Sequence, residues 1–349
     1  MRIARWTTGG VIGEGFVVGD RVVPFPDGLT VADVLARGLA QTRALFEQVS
    51  IPAPPPPVAG APAGASGGVG PAAGLPLADV QLLAPVVPAA IRDFVAFEEH
   101  VEGVSAGIEG KSDVAPEWYQ APTFYFTNPH TILGPGEPVS PPVTQRLDFE
   151  LEVAVVIGAA EGPSTRSGTP GANLSAAEAK QVVFGYTIMN DWSARDLQAR
   201  EMKVRLGPAK GKDFGMSLGP WIVTADEFEP YLDEDGFLAI RAEAYINDEL
   251  VGEDLVSNMG WPLPELVAYA SRNSRVVPGD VLGSGTVGNG GCLGELWGRN
   301  GGLTPPPLVE GDVVRLVVEG IGELSGAVGP AVAGPEIPSA RPRSRARHR

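Results

Sequence analysis

The chain is predicted to adopt a mixed, β-rich α+β fold, on three observations. Glycine and proline are both abundant, at 46 and 34 of 349 residues, which favours many turns between short strands. Runs of β-branched and aromatic residues bounded by turn residues recur along the chain. Apolar residues at helical spacing occur only in short stretches between those runs. The length suffices for one large domain or two smaller ones with a sizeable core.

In order, Arg2–Trp6, Gly15–Val18 and Arg21–Val23 are short strands, with Gly19-Asp20 as a hairpin turn. Thr30 to Gln48 reads as a helix, because Val31, Val34, Leu35, Leu39 and Leu45 keep helical spacing behind a Thr30 cap. Residues 1–50 therefore make a small N-terminal β unit with a helix. Residues 51–76 are almost entirely Pro, Ala and Gly, too poor in apolar side chains to offset their ordering entropy, and read as a linker or surface excursion. The main domain spans 77–330. In it Val80–Val87 is apolar and proline-bounded, and Ile91–Val104 keeps helical spacing through Phe94, Phe97, Val101 and Val104. Residues 105–121 read as loop and Thr123–Phe126 as β-prone. The GPGEP turn at Gly134–Pro138 leads into LDFELEVAVVIG, Leu147–Gly158, a strand that begins polar and ends apolar on both faces. Ser175 caps a short helix to Lys180, with Glu178 as its capping-box partner. Strands follow at Val182–Met189, Pro220–Thr224, Leu238–Ile246 and Val313–Val318, with an Asn247-Asp248 turn and a short Trp261–Tyr269 helix. Residues 334–349 are Pro-rich, end in RPRSRARHR, and read as a disordered basic tail.

Composition narrows the function. A net charge of −16 argues against a nucleic-acid groove or an anionic membrane surface as partner and suits hard cations as ligands. Cys292 is the only cysteine, so disulfides and thiolate metal sites are not expected, and a reducing cytoplasm is the natural compartment. The N-terminus MRIARWTTGG has no apolar signal core, and no run is long enough to span a bilayer.

Five stretches carry chemistry. Glu150 and Glu152 lie two apart on a strand and so share a face, roughly 7 Å apart. Two such carboxylates repel unless a cation sits between them; the alternative is a solvated strand end. NDWSARDLQ, Asn190–Gln198, reads as a strand-to-helix junction with Asp191 at its edge, and Arg195 and Gln198 one turn apart on the helix. Asp93 and His100 lie in RDFVAFEEHVEG, and of three histidines only His100 sits on a helix beside carboxylates. Lys212 lies on the glycine-rich GPAKGKDFG loop, which lets the backbone approach a ligand. GSGTVGNGGCLGELWG contributes Thr286 and Glu295; Cys292, within it, has no visible general-base partner.

DFELEVAVVIG, NDWSARDLQ, GKDFG and GSGTVG followed by GEL resemble the fumarylacetoacetate hydrolase family, in that order, over roughly Leu82 to Gly329. The resemblance implies a β-sandwich roll, with 77–330 as the catalytic domain behind the small N-terminal β unit, commonly in homodimers. It implies that Asp93, Glu150, Glu152 and Asp191 hold a divalent cation (Mg²⁺, Ca²⁺ or Mn²⁺), in keeping with the preference of hard ions for carboxylate oxygen. His100 matches the general base and Glu295 the carboxylate that orients it. Arg195, Gln198 and Lys212 match oxyanion-stabilising groups, and Thr286 a substrate-carboxylate contact. The chain also departs from the family pattern. Val95 and Met202 stand where fumarylacetoacetase has pocket tyrosines, Glu109 stands where an arginine would hold substrate, and Glu102-Gly103 leaves no HxxE pair after His100. The implied activity is hydrolysis of a C–C bond in a dioxo acid. Decarboxylation, isomerisation or dehydration of a 2-oxo acid by the same cage is an alternative, as is a non-catalytic metal-stabilised scaffold.

Overall fold

The computed structural model of this chain describes residues 1–50, 74–109, 114–160, 169–340 and 342–343. The strand Leu151–Ile157 lies at the centre of the main sheet, and all seven of its residues are buried. Its period-2 alternation feeds two cores at once. Leu151, Val153, Val155 and Ile157 pack into the larger core with Ala242, Leu316 and Leu324 of a separate four-stranded sheet. Ala154 and Val156 pack on the other side with Ile3, Phe16 and Val34 of the N-terminal segment.

The main sheet runs in the order Leu75–Pro76, Arg21–Pro24, Val11–Val18, Arg2–Thr8, Met216–Thr224, Val183–Asp191, Leu151–Ile157, Val281–Gly283, Ile91–Phe94, Phe124–Thr127. Arg2 and Ile3 pair with Val223 and Ile222, so the N-terminal strands continue the main sheet through hydrogen bonds. Most pairings are antiparallel, but Val281–Gly283 runs parallel to Ile91–Phe94 and sets Gly283 opposite Asp93. The four-stranded sheet, Glu249–Leu255, Arg241–Ile246, Val313–Val318 and Gly322–Ala327, is antiparallel throughout and lies over the larger core. This is the strand-rich α+β architecture that the sequence predicts.

Several elements differ in detail. Ile91–Val104 is not one helix. Ile91–Phe94 is a fully buried strand hydrogen-bonded on both sides, and the helix begins only at Glu98 and runs to Glu109. The partners on both sides supply ladder bonds that outweigh a helical apolar period, so tertiary context wins. The same helix takes up the start of the stretch expected to be loop, and a 3₁₀ turn at Trp118–Gln120 lies near its end. Thr30–Gln48 is two helices, Val31–Arg37 and Leu39–Ser50, broken at Gly38. Gly38 has φ 83°, and a Cβ there would lie 2.7 Å from the Ala159 carbonyl oxygen, so both conformation and space call for glycine. Thr30 does cap the first helix in a capping box with Asp33, and Ser175 caps Ala176–Lys180 in the same way with Glu178. Asn247 and Asp248 take the left-handed conformations of the hairpin turn between their strands, and the later short helix spans Leu263–Ser271. Of the Pro/Ala/Gly-rich stretch, residues 51–73 lie outside the described residues, while Leu75–Pro76 joins the sheet edge. Residues 334–340 have no regular structure and are exposed; Arg341 and residues 344–349 lie outside the described residues. No helix among the described residues is long and apolar enough to cross a membrane.

Ile188 is fully buried and Leu206 is 92% exposed, so they test this packing directly. Ile188→Ala should destabilise the fold by about 2–5 kcal/mol. Leu206→Ala should change stability by less than about 0.5 kcal/mol. Urea denaturation should show a lower midpoint at unchanged slope for the first variant alone.

Candidate active site

Four carboxylates meet where the central strands end. Asp93 comes from Ile91–Phe94, Asp191 from the end of Val183–Asp191, and Glu152 from the Leu151–Ile157 strand. Glu150 sits just before that strand, where its backbone N–H donates to the Asn190 side chain at 3.0 Å. Glu150 and Glu152 are 4% and 1% exposed, so a solvated strand end is not what the fold builds. Carboxylate oxygens of Asp93, Glu150 and Asp191 lie within 4.8 Å of one another. Glu152 lies beside Asp93 across Gly283 and accepts from the Gly285 N–H at 3.0 Å. Gly283 makes this closeness possible, because a Cβ there would lie 2.6 Å from Glu152 Oε2 and 2.8 Å from Asp93 Oδ1.

Lys212 and Arg195 are the counter-charges. Lys212 Nζ donates to Glu150 Oε2 at 2.5 Å and to Asp191 Oδ2 at 2.6 Å. Arg195 Nη2 lies 2.7 Å from Glu150 Oε1, its Nε donates to Asp148 at 2.8 Å, and its Nη1 donates to Gln198 Oε1 at 3.1 Å. Burial raises the pKa of Glu150, but Lys212 and Arg195 overcome it and hold the group well below the usual carboxylate range. Burial and then Asp191 push Asp93 up, more than the nearby Lys212 pulls it down, and burial and then Asp93 push Glu152 up. Burial lowers the pKa of Lys212, but Asp191 and Glu150 more than restore it, so it stays charged.

The cluster fits a hard divalent cation. Asp93 Oδ1, Glu152 Oε1 and Asp191 Oδ1 are buried and lack any hydrogen-bond partner. Orphaned carboxylate oxygens of this kind are costly unless something binds them, and an all-oxygen donor set is what Mg²⁺, Ca²⁺ or Mn²⁺ takes.

His100 and Glu295 come from two helices, Glu98–Glu109 and Leu293–Asn300, that touch at Gly103, where a Cβ would lie 2.3 Å from Glu295 Cγ. His100 Nδ1 is 3.9 Å from Glu295 Oε2 and 3.6 Å from Cys292 Sγ. The expectation that Cys292 lacks a basic neighbour is therefore corrected: residues nearly two hundred positions apart meet here through helix packing. Burial lowers the pKa of His100 to about 4, and burial raises that of Glu295 to about 7. The imidazole is thus neutral at pH 7. Thr286 is buried just after Gly285, and Val95 is half-buried beside Phe94. Met202, by contrast, is 49% exposed at the end of the Arg195–Met202 helix.

Three neighbours were missed from the sequence. Asp148 Oδ1 accepts from Phe149 and Leu293 N–H, and its Oδ2 from Gly294 N–H and Arg195 Nε, at 2.7–2.8 Å. It joins the N-terminus of the Glu295 helix to the Arg195 guanidinium. Tyr125, opposite Asp93 in the sheet, donates its hydroxyl to Asp191 Oδ2 at 2.5 Å. Cys292 caps the Glu295 helix, its Sγ accepting from the Glu295 N–H at 3.3 Å. The acidic residue two before ExE was a signal for Asp148; TFYFTNP offered none for Tyr125.

Residues 89–329 match the family model described as fumarylacetoacetate (FAA) hydrolase, C-terminal. The chain belongs to the fumarylacetoacetate hydrolase family. Relatives in the family include a fumarylacetoacetase of Arabidopsis thaliana, 30% identical over 68% of this chain and 66% of that protein. They also include an oxaloacetate tautomerase of Bacillus subtilis, 31% identical over 72% of this chain and 74% of that protein. Among solved structures, a maleylpyruvate hydrolase from a Sphingobium species, in complex with manganese(II) and pyruvate, matches with TM-score 0.63 and 21% identity over 95% of this chain and all of that one. A 5-carboxymethyl-2-hydroxymuconate delta-isomerase from Mycobacterium smegmatis matches with TM-score 0.62 and 23% identity over 96% of this chain and all of that one. Proteins named as hydrolases, an isomerase and a tautomerase thus share this fold or family with the chain.

Two measurements test this geometry. In the metal-free protein the His100 imidazole should titrate near pH 4 by NMR, well below the usual 6.5. Asp148→Ala leaves the Arg195 Nε and three backbone N–H groups without their buried partner, and should cost about 3–5 kcal/mol in denaturant unfolding.

Proposed function

We propose that this protein is a divalent-metal-dependent hydrolase that cleaves a C–C bond in a 1,3-dioxo acid of the fumarylacetoacetate or acylpyruvate type. The observation that carries the reading is a buried, neutral imidazole, His100, beside a buried carboxylate cluster, with Glu295 behind it. Asp93, Glu150, Glu152 and Asp191 would hold the cation, Mg²⁺, Ca²⁺ or Mn²⁺. When bound, it supplies Lewis-acid polarisation of the dioxo oxygens.

This chain's own residues do the proton work. His100 accepts a proton from water as its oxygen adds to the distal carbonyl, and returns that proton to the departing carbon when the C–C bond breaks. Glu295 holds the imidazole in orientation and stabilises the imidazolium. Lys212 and Gln198 donate to the oxyanion; the Gln198 oxygen is taken by Arg195, which leaves its NH₂ end to donate. Arg195 acts through Gln198 and Glu150, since its other donors face Asp148 and Glu150. Thr286 contacts the substrate carboxylate, and Val95 and Met202 flank the substrate in place of tyrosines. The 77–330 domain carries the chemistry, and we assign the protein to the cytoplasm as a homodimer acting on a small dioxo or oxo acid.

A second reading, tautomerisation, decarboxylation or dehydration of a 2-oxo acid, is favoured by the similarity to the oxaloacetate tautomerase. It uses the same cage without an activated water.

The test is metal content and kcat on three variants, against acylpyruvates, fumarylacetoacetate and oxaloacetate with Mg²⁺ or Mn²⁺. His100→Ala should lower kcat by about 10² to 10⁴ with metal retained. Glu295→Gln should do the same more mildly, and Glu150→Ala should lose metal and turnover together. A His100→Ala enzyme near full activity would remove hydrolysis and leave the second reading.

A further inference from the structure

Cys292 has no part in the proposed reaction, yet its surroundings are those of a ligand. One atom each from His100, Glu150 and Cys292 lie within 4.8 Å of one another, and all three residues are buried. Cys292 Sγ and His100 Nδ1 are 3.6 Å apart. In a tetrahedral site with Zn–S about 2.3 Å and Zn–N about 2.0–2.1 Å, the S···N edge is about 3.6 Å. A second carboxylate lies beside the imidazole. Glu295 Oε2 is 3.9 Å from His100 Nδ1, fully buried, and without a hydrogen-bond partner, whereas its Oε1 is held by Arg299 and the Gly290 N–H.

We propose that His100, Cys292 and Glu150, with the free Glu295 Oε2 beside the imidazole, form a second cation site, selective for a thiophilic tetrahedral divalent ion of the Zn²⁺ class. Its chemistry differs from that of the carboxylate cage. Sulfur and imidazole suit Zn²⁺ or Co²⁺, whereas Mg²⁺ and Ca²⁺ gain little from either. On binding, the thiol proton leaves to solvent and the thiolate takes its place on the ion; no electron is transferred. Glu150 belongs to both donor sets, so an ion here draws that carboxylate away from Asp93 and Asp191. It also occupies the imidazole that the proposed hydrolysis needs, so a thiophilic ion acts as a block on the same centre. The binding site itself does not rest on the hydrolase reading.

The test uses the purified full-length chain and Co²⁺ as a spectroscopic probe. Because Cys292 is the only cysteine, any thiolate-to-cobalt charge-transfer band must come from it. Co²⁺ should produce that near-ultraviolet band together with the intense visible bands of tetrahedral cobalt. Zn²⁺ should abolish both, and Mg²⁺ at the same concentration should leave them in place. Cys292→Ser should lose the charge-transfer band while Mn²⁺ binding, read by electron paramagnetic resonance, is unchanged. Co²⁺ bound to the native chain without the charge-transfer band would mean that sulfur and imidazole only share a hydrogen bond, and would overturn the proposal whatever the reaction proves to be. A band that survives in Cys292→Ser would overturn it equally.

Discussion

The concentration of negative charge at the end of the central strands is the constraint on which the rest of this structure depends. Asp93, Glu150, Glu152 and Asp191 are all buried, and Lys212 and Arg195 are the cations that touch them. In a low-dielectric interior like charges this close cannot all stay ionised without compensation. The chain responds in two ways. Glu150 and Asp191 sit against Lys212, whereas Asp93 and Glu152 lie side by side without a bonded cation and have raised pKa values. The cost of burying such a cluster is offset only by something that binds its free oxygens, so the site makes physical sense as a cation cage.

The sheet is what brings the cage together. Register places Gly283 between Asp93 and Ala154, so the strands carrying Asp93 and Glu152 are separated by a residue without a side chain. The Leu151–Ile157 strand can carry a carboxylate inward because its remaining residues are anchored in two cores at once. A strand with one solvated face would let Glu152 turn to water. Rigidity here comes from apolar packing, and the polar centre depends on it.

The second structural link is Asp148. It caps the helix that carries Glu295 and Cys292 and pairs with Arg195, which in turn pairs with Glu150. The imidazole side of the site and the carboxylate side are thereby connected through one buried side chain. Cys292 has a comparable position on the other flank, as helix cap and as neighbour of His100.

The sequence by itself determined the strand-rich class, the buried central strand, the capping boxes at Thr30 and Ser175, and the family resemblance. These are local facts: period-2 apolar alternation, cap residues at fixed offsets, and contiguous motifs such as NDWSARDLQ. It also singled out the four carboxylates, Lys212, Arg195 and His100, which the fold does bring into one neighbourhood. What it misread or missed depended on partners far along the chain. Ile91–Phe94 carries a helical apolar period but is a strand, because Val281–Gly283 and Phe124–Thr127 offer it hydrogen bonds on both sides. Tyr125 faces Asp191 across 66 positions, Asp148 faces the Leu293 N–H across 145, and Cys292 faces His100 across 192. No local pattern encodes such contacts, since they follow from strand order and helix packing. Only the tertiary structure decided them.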